Sequence, residues 1–204
     1  MKIYFVRHGE SLANTLHVIS NRDLPHPLTD KGRAQAMRVS AALKGRSIER
    51  IYTSPVLRAV ETADIHAENL SAPFETADGL REYDLGELEG RGDDGAWSIH
   101  AKYVRDWLDG QNRDQCPAGG ESYYDIERRF VPFVEGLIRQ FSGSKSEVLC
   151  VAHGGVYMFG LPLVLSNISL EFICKRRGIG HTEIIVAELQ DGRLVCTAWG
   201  DETP

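Results

Sequence analysis

Apolar residues run along this chain in two rhythms. Short runs at KIYFV (2–6), IERIYTS (48–54) and EVLCVAH (147–153) are rich in Val, Ile and aromatics, the composition of strands covered on both faces of a parallel sheet. The other rhythm is helical. In LTDKGRAQAMRVSAALKG (28–45), Ala34, Met37 and Ala41 share one helical face, Thr29 or Asp30 can cap the start, and Gly45 suits the stop. After the second run, Ser54 reads as an N-cap and Pro55 as the first residue of a helix through VLRAVETADIHAENL (56–70). Strand, helix, strand, helix at this spacing is βαβ logic. It predicts an α/β fold, a mostly parallel central sheet flanked by helices on both faces.

The middle of the chain breaks the pattern. GELEGRGDDGAWSIHAKYVRDWLDGQNRDQCPAGGE is polar and glycine-punctuated, with one helical segment in which Trp97, Ala101, Val104 and Leu108 share a face beside Tyr103 and Trp107. The segment reads as a helical insertion at about 86–120 within a single domain spanning 1–204. ESYYDIERRFVPFVEGLIRQF returns to helix, with Ser122 and Asp125 spaced as a capping box and Pro132 expected to kink or restart it. HTEIIVAEL, the turn at Asp191-Gly192 and RLVCTAWG predict a C-terminal antiparallel hairpin joined to the sheet.

Composition narrows the class. With 204 residues, 42% hydrophobic and 25% charged, the chain can bury a core of its own and is ordinary enough to argue against disorder. The formal net charge of −6 speaks against nucleic acid or a membrane as partner, although a local arginine cluster can still take a small anion. MKIYFVRHGE meets charge too early for a secretory leader, and no stretch reaches the length of a membrane span. Cys116, Cys150, Cys174 and Cys196 form no CxxC pair, which suits reduced thiols rather than a disulfide framework or a zinc site. The expectation is a cytoplasmic protein.

Two of the strand-like runs end in chemistry. His8 and His153 each directly follow apolar strand material and each precede glycine. Ligands of open α/β sheets bind outside the carboxyl ends of the strands. Two such strands lying centrally would aim both imidazoles at one rim, with Gly9, Gly154 and Gly155 letting backbone approach a ligand. One histidine alone is as readily a strand-end residue with satisfied hydrogen bonds; the matched pair, with Arg7 beside it, points to a site. Arg58 falls in the first turn of the helix after IYTSP, where free N–H groups and the helix dipole favour an anion. Taken alone it suits a solvated arginine paired with Glu61 or Glu68. Together the two arginines and two histidines fit a phosphoryl group, whose oxygens match guanidinium geometry.

RHGES with Asn14 following, PLTDKGRAQA, TSPVLRAVETA, LREYDLGELEG, GGES and VAHGG stand in the order of the motifs of the histidine phosphatase superfamily. From residue 3 to about residue 155 the chain resembles that family, whose fold is phosphoglycerate mutase-like. The resemblance implies a catalytic set of His8 as nucleophile, His153 and Glu82, and a substrate-binding set of Arg7, Arg58, Asn14 and Gly154. Glu82 is taken over Glu87 and Glu89 on the motif match alone. It implies no metal and no cofactor, and a small phosphorylated substrate or inorganic phosphate as partner; oligomeric state is not specified.

The reaction expected is metal-independent hydrolysis of a phosphomonoester through a phosphohistidine. A neutral His8 attacks while a backbone carbonyl holds its other nitrogen. The arginines and a protonated His153 hold the oxygens, and a protonated Glu82 serves the leaving group. The alternative is a cofactor-dependent phosphoglycerate mutase; HVISNRDLPHPLTDKG lacks the Phe-x-Gly-Trp stretch typical of mutases, and the tail after VAHGG is short for one. A non-catalytic phosphate-binding module ranks below both. Gly119-Gly120-Glu121-Ser122 is read either as a rim element or as a helix cap, the Trp97–Trp107 segment as ordinary helix packing, and His181 is unassigned. Substrate selectivity is expected to reside at about 91–118.

Overall fold

The computed structural model describes residues 1–22, 24–143, 145–176 and 178–204. Strands β1 (Lys2–Arg7), β2 (Ile48–Thr53), β3 (Phe74–Thr76), β4 (Glu147–Ala152), β5 (Ile184–Gln190) and β6 (Arg193–Trp199) form a six-stranded sheet in the order β3-β2-β4-β1-β5-β6. β1 to β4 run parallel; β5 joins β1 antiparallel, and β6 folds back on it through Asp191 and Gly192, both at positive φ. The helices are α1 (Leu12–Leu16), α2 (Asp30–Ala42), α3 (Leu57–Leu70), α4 (Asp94–Leu108), α5 (Tyr123–Phe141), α6 (Gly154–Val164) and α7 (Leu170–Lys175).

The central strands are covered on both sides. In β1, Ile3 and Phe5 join a cluster with Trp107, Phe130 and Phe159 of α4, α5 and α6, while Tyr4 and Val6 join Val39 and Ala63 of α2 and α3 on the opposite face. Phe5 is fully buried, so Phe5→Ala carries a cost of about 3–5 kcal/mol. Burial of this kind fixes register, and register places the site. Arg7 stands opposite Ala152 and Thr53 opposite Val151; one step on, the His8 N–H donates to the Ala152 carbonyl and the Ser54 N–H to the Val151 carbonyl, both at 2.9 Å. The carboxyl ends of β1, β4 and β2 therefore deliver His8, His153 and Ser54 to one rim.

Several local expectations shift. The face of α2 turned inward is Gly32, Ala36, Val39 and Ser40; Ala34, Met37 and Ala41 are exposed. The inward stripe is small because α2 lies hard against the β1 exit, where a Cβ on Gly32 would stand 2.0 Å from the Glu10 carbonyl oxygen. α3 begins at Leu57 with Val56 as N-cap, not at Pro55 after Ser54. Ser54 is still held in the sheet by its N–H, so the chain cannot turn helical there. α5 runs unbroken through Pro132, which lies on the exposed side, where the freed carbonyl meets water. In α4 the buried residues are Ala96 and Trp107, while Ala101 is exposed. The outer side of β6 is occupied by the 165–167 segment: Ser166 N–H donates to the Leu194 carbonyl at 2.9 Å, and the Asn167 amide accepts from Cys196 N–H at 2.8 Å and donates to its carbonyl at 2.9 Å. All four cysteines are free thiols, and among the described residues no helix is long and apolar enough to cross a membrane.

Candidate active site

The β1, β4 and α3 ends meet in a cavity of about 340 Å³, lined among others by Arg7, His8, Asn14, Arg58, Glu82 and Gly154. Of the residues singled out in the sequence, His153 is fully buried at its edge, with its ring centroid 5.1 Å from that of His8. Glu87 is exposed and Glu89 is tied to the N–H groups of Asn21 and Leu85; of the three glutamates in the LREYDLGELEG motif, Glu82 lines the cavity.

The hydrogen bonds of His8 settle its protonation. Nδ1 lies 2.6 Å from the Gly9 carbonyl oxygen; a carbonyl only accepts, so Nδ1 carries the proton. Nε2 then presents a lone pair, which accepts from Arg58 Nε at 3.0 Å. Burial first, then the charge of Arg58, holds the His8 pKa well below the ordinary imidazole range. The ring is neutral, its Nε2 lone pair directed at Arg58.

Arg58 is itself fixed by a 2.5 Å bond from its Nη1 to the Ser20 carbonyl, and Arg7 by one of 2.6 Å from its Nη1 to the Ile179 carbonyl. Burial lowers the pKa of Arg7, and lowers that of Arg58 to about 10, with Glu82 opposing the shift in both. Two desolvated guanidinium groups facing one cavity favour an anion between them. His153 Nε2 lies 2.7 Å from Ser54 Oγ, while its Nδ1 is buried without a partner among the described residues. Burial, then Arg58 and Arg7, pushes its pKa well below the usual range. Between two arginines and away from water, the ring of the unliganded site is held neutral; the protonated His153 expected from the sequence belongs to the anion-bound site.

Glu82 sits on the N-terminus of α6. Its Oε2 accepts from Gly155 N–H at 2.8 Å and its Oε1 from Val156 N–H at 2.6 Å and Tyr83 N–H at 3.1 Å. Burial raises its pKa against these bonds and the charge of Arg58. Gly155 makes this seat possible, because a Cβ there would lie 2.2 Å from the Tyr83 ring and 2.7 Å from Glu82 Oε1. Two of the three glycines expected to let backbone approach a ligand are also needed within the protein: Gly155 clears Glu82 and Tyr83, and Gly9 clears the Gly32 carbonyl, 2.4 Å from its would-be Cβ; Gly154 lines the cavity.

Asn14 has a set orientation. Its Oδ1 accepts from Ser11 N–H at 3.0 Å and Ser11 Oγ at 2.9 Å; a backbone N–H demands an oxygen, so Nδ2 is turned elsewhere. His181 Nε2 reaches the same Oδ1 at 3.2 Å, and its ring centroid is 5.8 Å from that of His8. His181 thus belongs to the site; it lies ahead of β5 rather than starting that strand. Trp97, His100 and Val104 of α4 line the cavity too, so the reading of that segment as helix packing holds for Trp107 and for Trp97 and Val104 against the core, but the last two serve the cavity as well. Their signal was present as an i, i+3, i+7 face carrying a tryptophan and a histidine. Gly119-Gly120-Glu121-Ser122 does not line the cavity: Glu121 pairs with Arg129 at 2.8 Å, and Ser122 caps α5 in a capping box with Asp125. Among the described residues no group of three or more His, Cys, Asp or Glu is arranged to hold a metal ion.

Comparison with known proteins fits this geometry. Probable phosphoglycerate mutase GpmB of Salmonella choleraesuis is 29% identical over 205 residues, covering 100% of this chain and 92% of that protein. The structure of Bacillus stearothermophilus YhfR superposes with a TM-score of 0.83 at 27% identity, over 99% of this chain and 98% of that one. That of the mycobacterial glucosyl-3-phosphoglycerate phosphatase Rv2419c shares the fold at a TM-score of 0.82 and 22% identity, over 98% and 99%. The family model of the histidine phosphatase superfamily (branch 1) matches residues 3–202, a span that takes in every residue of the cavity. The chain belongs to that superfamily.

Proposed function

We propose that this protein is a metal-independent phosphomonoester hydrolase that works through a phosphohistidine on a small phosphorylated metabolite. The observation that carries the reading is the state of His8: Nδ1–H held by the Gly9 carbonyl, Nε2 unprotonated and aligned by Arg58. In the first step Nε2 forms a bond to phosphorus as the ester P–O bond breaks, and the leaving alkoxide takes the proton of Glu82. In the second, Glu82 as carboxylate removes a proton from water, whose oxygen forms the new P–O bond as P–N breaks, returning neutral His8, protonated Glu82 and inorganic phosphate. Arg7, Arg58, Asn14 Nδ2 and the Gly154 backbone hold the oxygens, and His153 takes up a proton once the phosphoryl dianion offsets the two arginines. The raised pKa of Glu82 supports its role as acid.

The second reading, a cofactor-dependent phosphoglycerate mutase, draws on relatives that carry that name. Against it, the cationic side chains among the described lining residues are Arg7 and Arg58, enough for one phosphoryl group. A bisphosphoglycerate would bring two phosphates and a carboxylate. The deciding experiment is incubation with a phosphomonoester panel in EDTA, with acid-quenched samples examined for phosphohistidine by mass spectrometry. Phosphate release and a labile +80 Da adduct on His8, both absent in His8→Ala, are expected. Conversion of 3-phosphoglycerate to 2-phosphoglycerate, stimulated by 2,3-bisphosphoglycerate and faster than hydrolysis, would establish the mutase instead. Absence of turnover on every ester would leave the phosphate-binding module.

A further inference from the structure

The cavity has a half that the phosphoryl chemistry does not use. On α4, Trp97, His100 and Val104 line it on one side, and Val18, Met158 and Ile179 close it from neighbouring segments. The aromatic part of this wall is held in place. Trp97 Nε1 donates to the His17 carbonyl at 2.9 Å, so the one polar atom of the indole is occupied, and its ring packs against those of His17 and His100 with centroids 4.6 and 5.5 Å away. The Tyr83 hydroxyl and His100 Nε2 share a 2.6 Å hydrogen bond, and Tyr83 is wedged edge-on against Trp107 and Phe159. Such a wall offers a ligand apolar and aromatic surface in which the indole N–H, the Tyr83 hydroxyl and His100 Nε2 already have partners.

Charge points the same way. Among the described lining residues the side chains that carry or can carry full charge, the imidazoles aside, are Arg7, Arg58 and Glu82. The arginines face the phosphoryl group, so a carboxylate or second phosphate lying against the α4 wall would meet aromatic rings and no guanidinium; Arg22, Arg81 and Arg129 line a neighbouring cavity beyond Asn21 and Glu82. The volume of about 340 Å³ lies at the small end for ligand pockets. It is enough for a phosphoryl group with one ring or a short chain.

We propose that this wall is the leaving-group subsite, and that it selects phosphomonoesters of small, neutral, apolar alcohols, aromatic ones first, over esters carrying a further carboxylate or phosphate. The inference rests on the hydrolase reading. Its test compares kcat/KM for benzyl phosphate, glycerol 3-phosphate and 3-phosphoglycerate, all alkyl esters, so that leaving-group acidity does not set the order. Benzyl phosphate is expected to exceed 3-phosphoglycerate by about tenfold or more. Trp97→Ala should cost the benzyl ester about tenfold through KM and leave inhibition by inorganic phosphate unchanged, a split that general misfolding would not produce. Val104→Arg should narrow the gap by raising activity on 3-phosphoglycerate. Equal or preferred hydrolysis of 3-phosphoglycerate overturns the proposal, as does an unchanged ester ranking in Trp97→Ala. Failure of the hydrolase reading looks different: no ester turns over. In that event calorimetry of the intact protein with benzylphosphonate and 3-phosphonopropionate decides the subsite, tighter binding of the first upholding it and the reverse order overturning it.

Discussion

His8, Arg58 and His153 stand on the two central strands and the first turn of α3, each almost wholly buried and each with a side-chain nitrogen in a specific hydrogen bond. Trp97, His100 and Val104, across the same cavity, stand on a helix inserted between core elements and are half-buried. The first group is positioned by strand register, which cannot slip by one residue without turning the core out to solvent. The second is positioned by one helix and the rings packed against it, an arrangement open to change without loss of the sheet. One cavity thus joins a part whose geometry is dictated by the fold to a part that is free to vary, and the proposed chemistry and selectivity divide along that line.

The division can be broken from the phosphoryl side first. Arg58→Ala removes the donor to His8 Nε2 and one of the two cavity cations; a loss of about 10³-fold in kcat/KM on every ester, without change in their ranking, is expected by steady-state assay. A loss confined to some esters would blur the boundary between the halves. Glu82→Gln is expected to slow alkyl esters by about 10²-fold or more and p-nitrophenyl phosphate far less, because that leaving group scarcely needs a proton. Equal losses would remove Glu82 from the role of acid.

Gly155→Ala tests whether the seat of Glu82 matters to chemistry. The added methyl meets the Tyr83 ring and the carboxylate, so kcat is expected to fall about tenfold and stability by roughly 1–3 kcal/mol in urea unfolding. A smaller effect belongs to His181→Ala, which frees Asn14: a few-fold rise in KM and in the inhibition constant of inorganic phosphate, with kcat nearly kept and His181→Gln restoring part of it. The smallest is a matter of pH. Away from the cavity, burial lowers the pKa of His66 from 6.5 to about 4, so the unfolded chain binds more protons than the folded one between those values. Its contribution to stability is full above about pH 6.5 and is lost as pH falls toward 4. His8, His153 and His181 are shifted the same way. His66→Leu should take up to one proton from the unfolding linkage in that window, read as a shallower fall in urea midpoint between pH 7 and 5; parallel curves would show that His66 does not titrate there.

The same division governs what could be read from the amino acids. β1, β2, β4 and the hairpin were legible because runs buried on both faces, and a two-residue Asp-Gly turn, leave little alternative. His8, Arg7, Arg58 and His153 came with them, since a residue that follows a central parallel strand has only one rim to occupy. β3 was missed: with three residues it carries no periodicity. The inward face of α2 departs from its apolar spacing, whereas that of α4 follows it at Trp97, Val104 and Leu108, with Ala101 the exception. In α2, close approach selects small residues on the inward face; in α4, two competing surfaces, core and cavity, each claim part of the helix. His181 is distant from Asn14 in sequence, and no local pattern announces a contact made by the return of the chain ahead of β5.

The covering of β6 has a consequence for how copies of this protein can meet. At Leu194 and Cys196 the outward backbone groups are already engaged by Ser166 and Asn167, and the opposite margin, β3, is three residues long. A second molecule seeking to extend the sheet finds one border satisfied and the other too short to template a strand. Self-association, whether ordered or in the course of misfolding, is thereby steered away from continuous cross-strand stacking and onto side-chain surfaces.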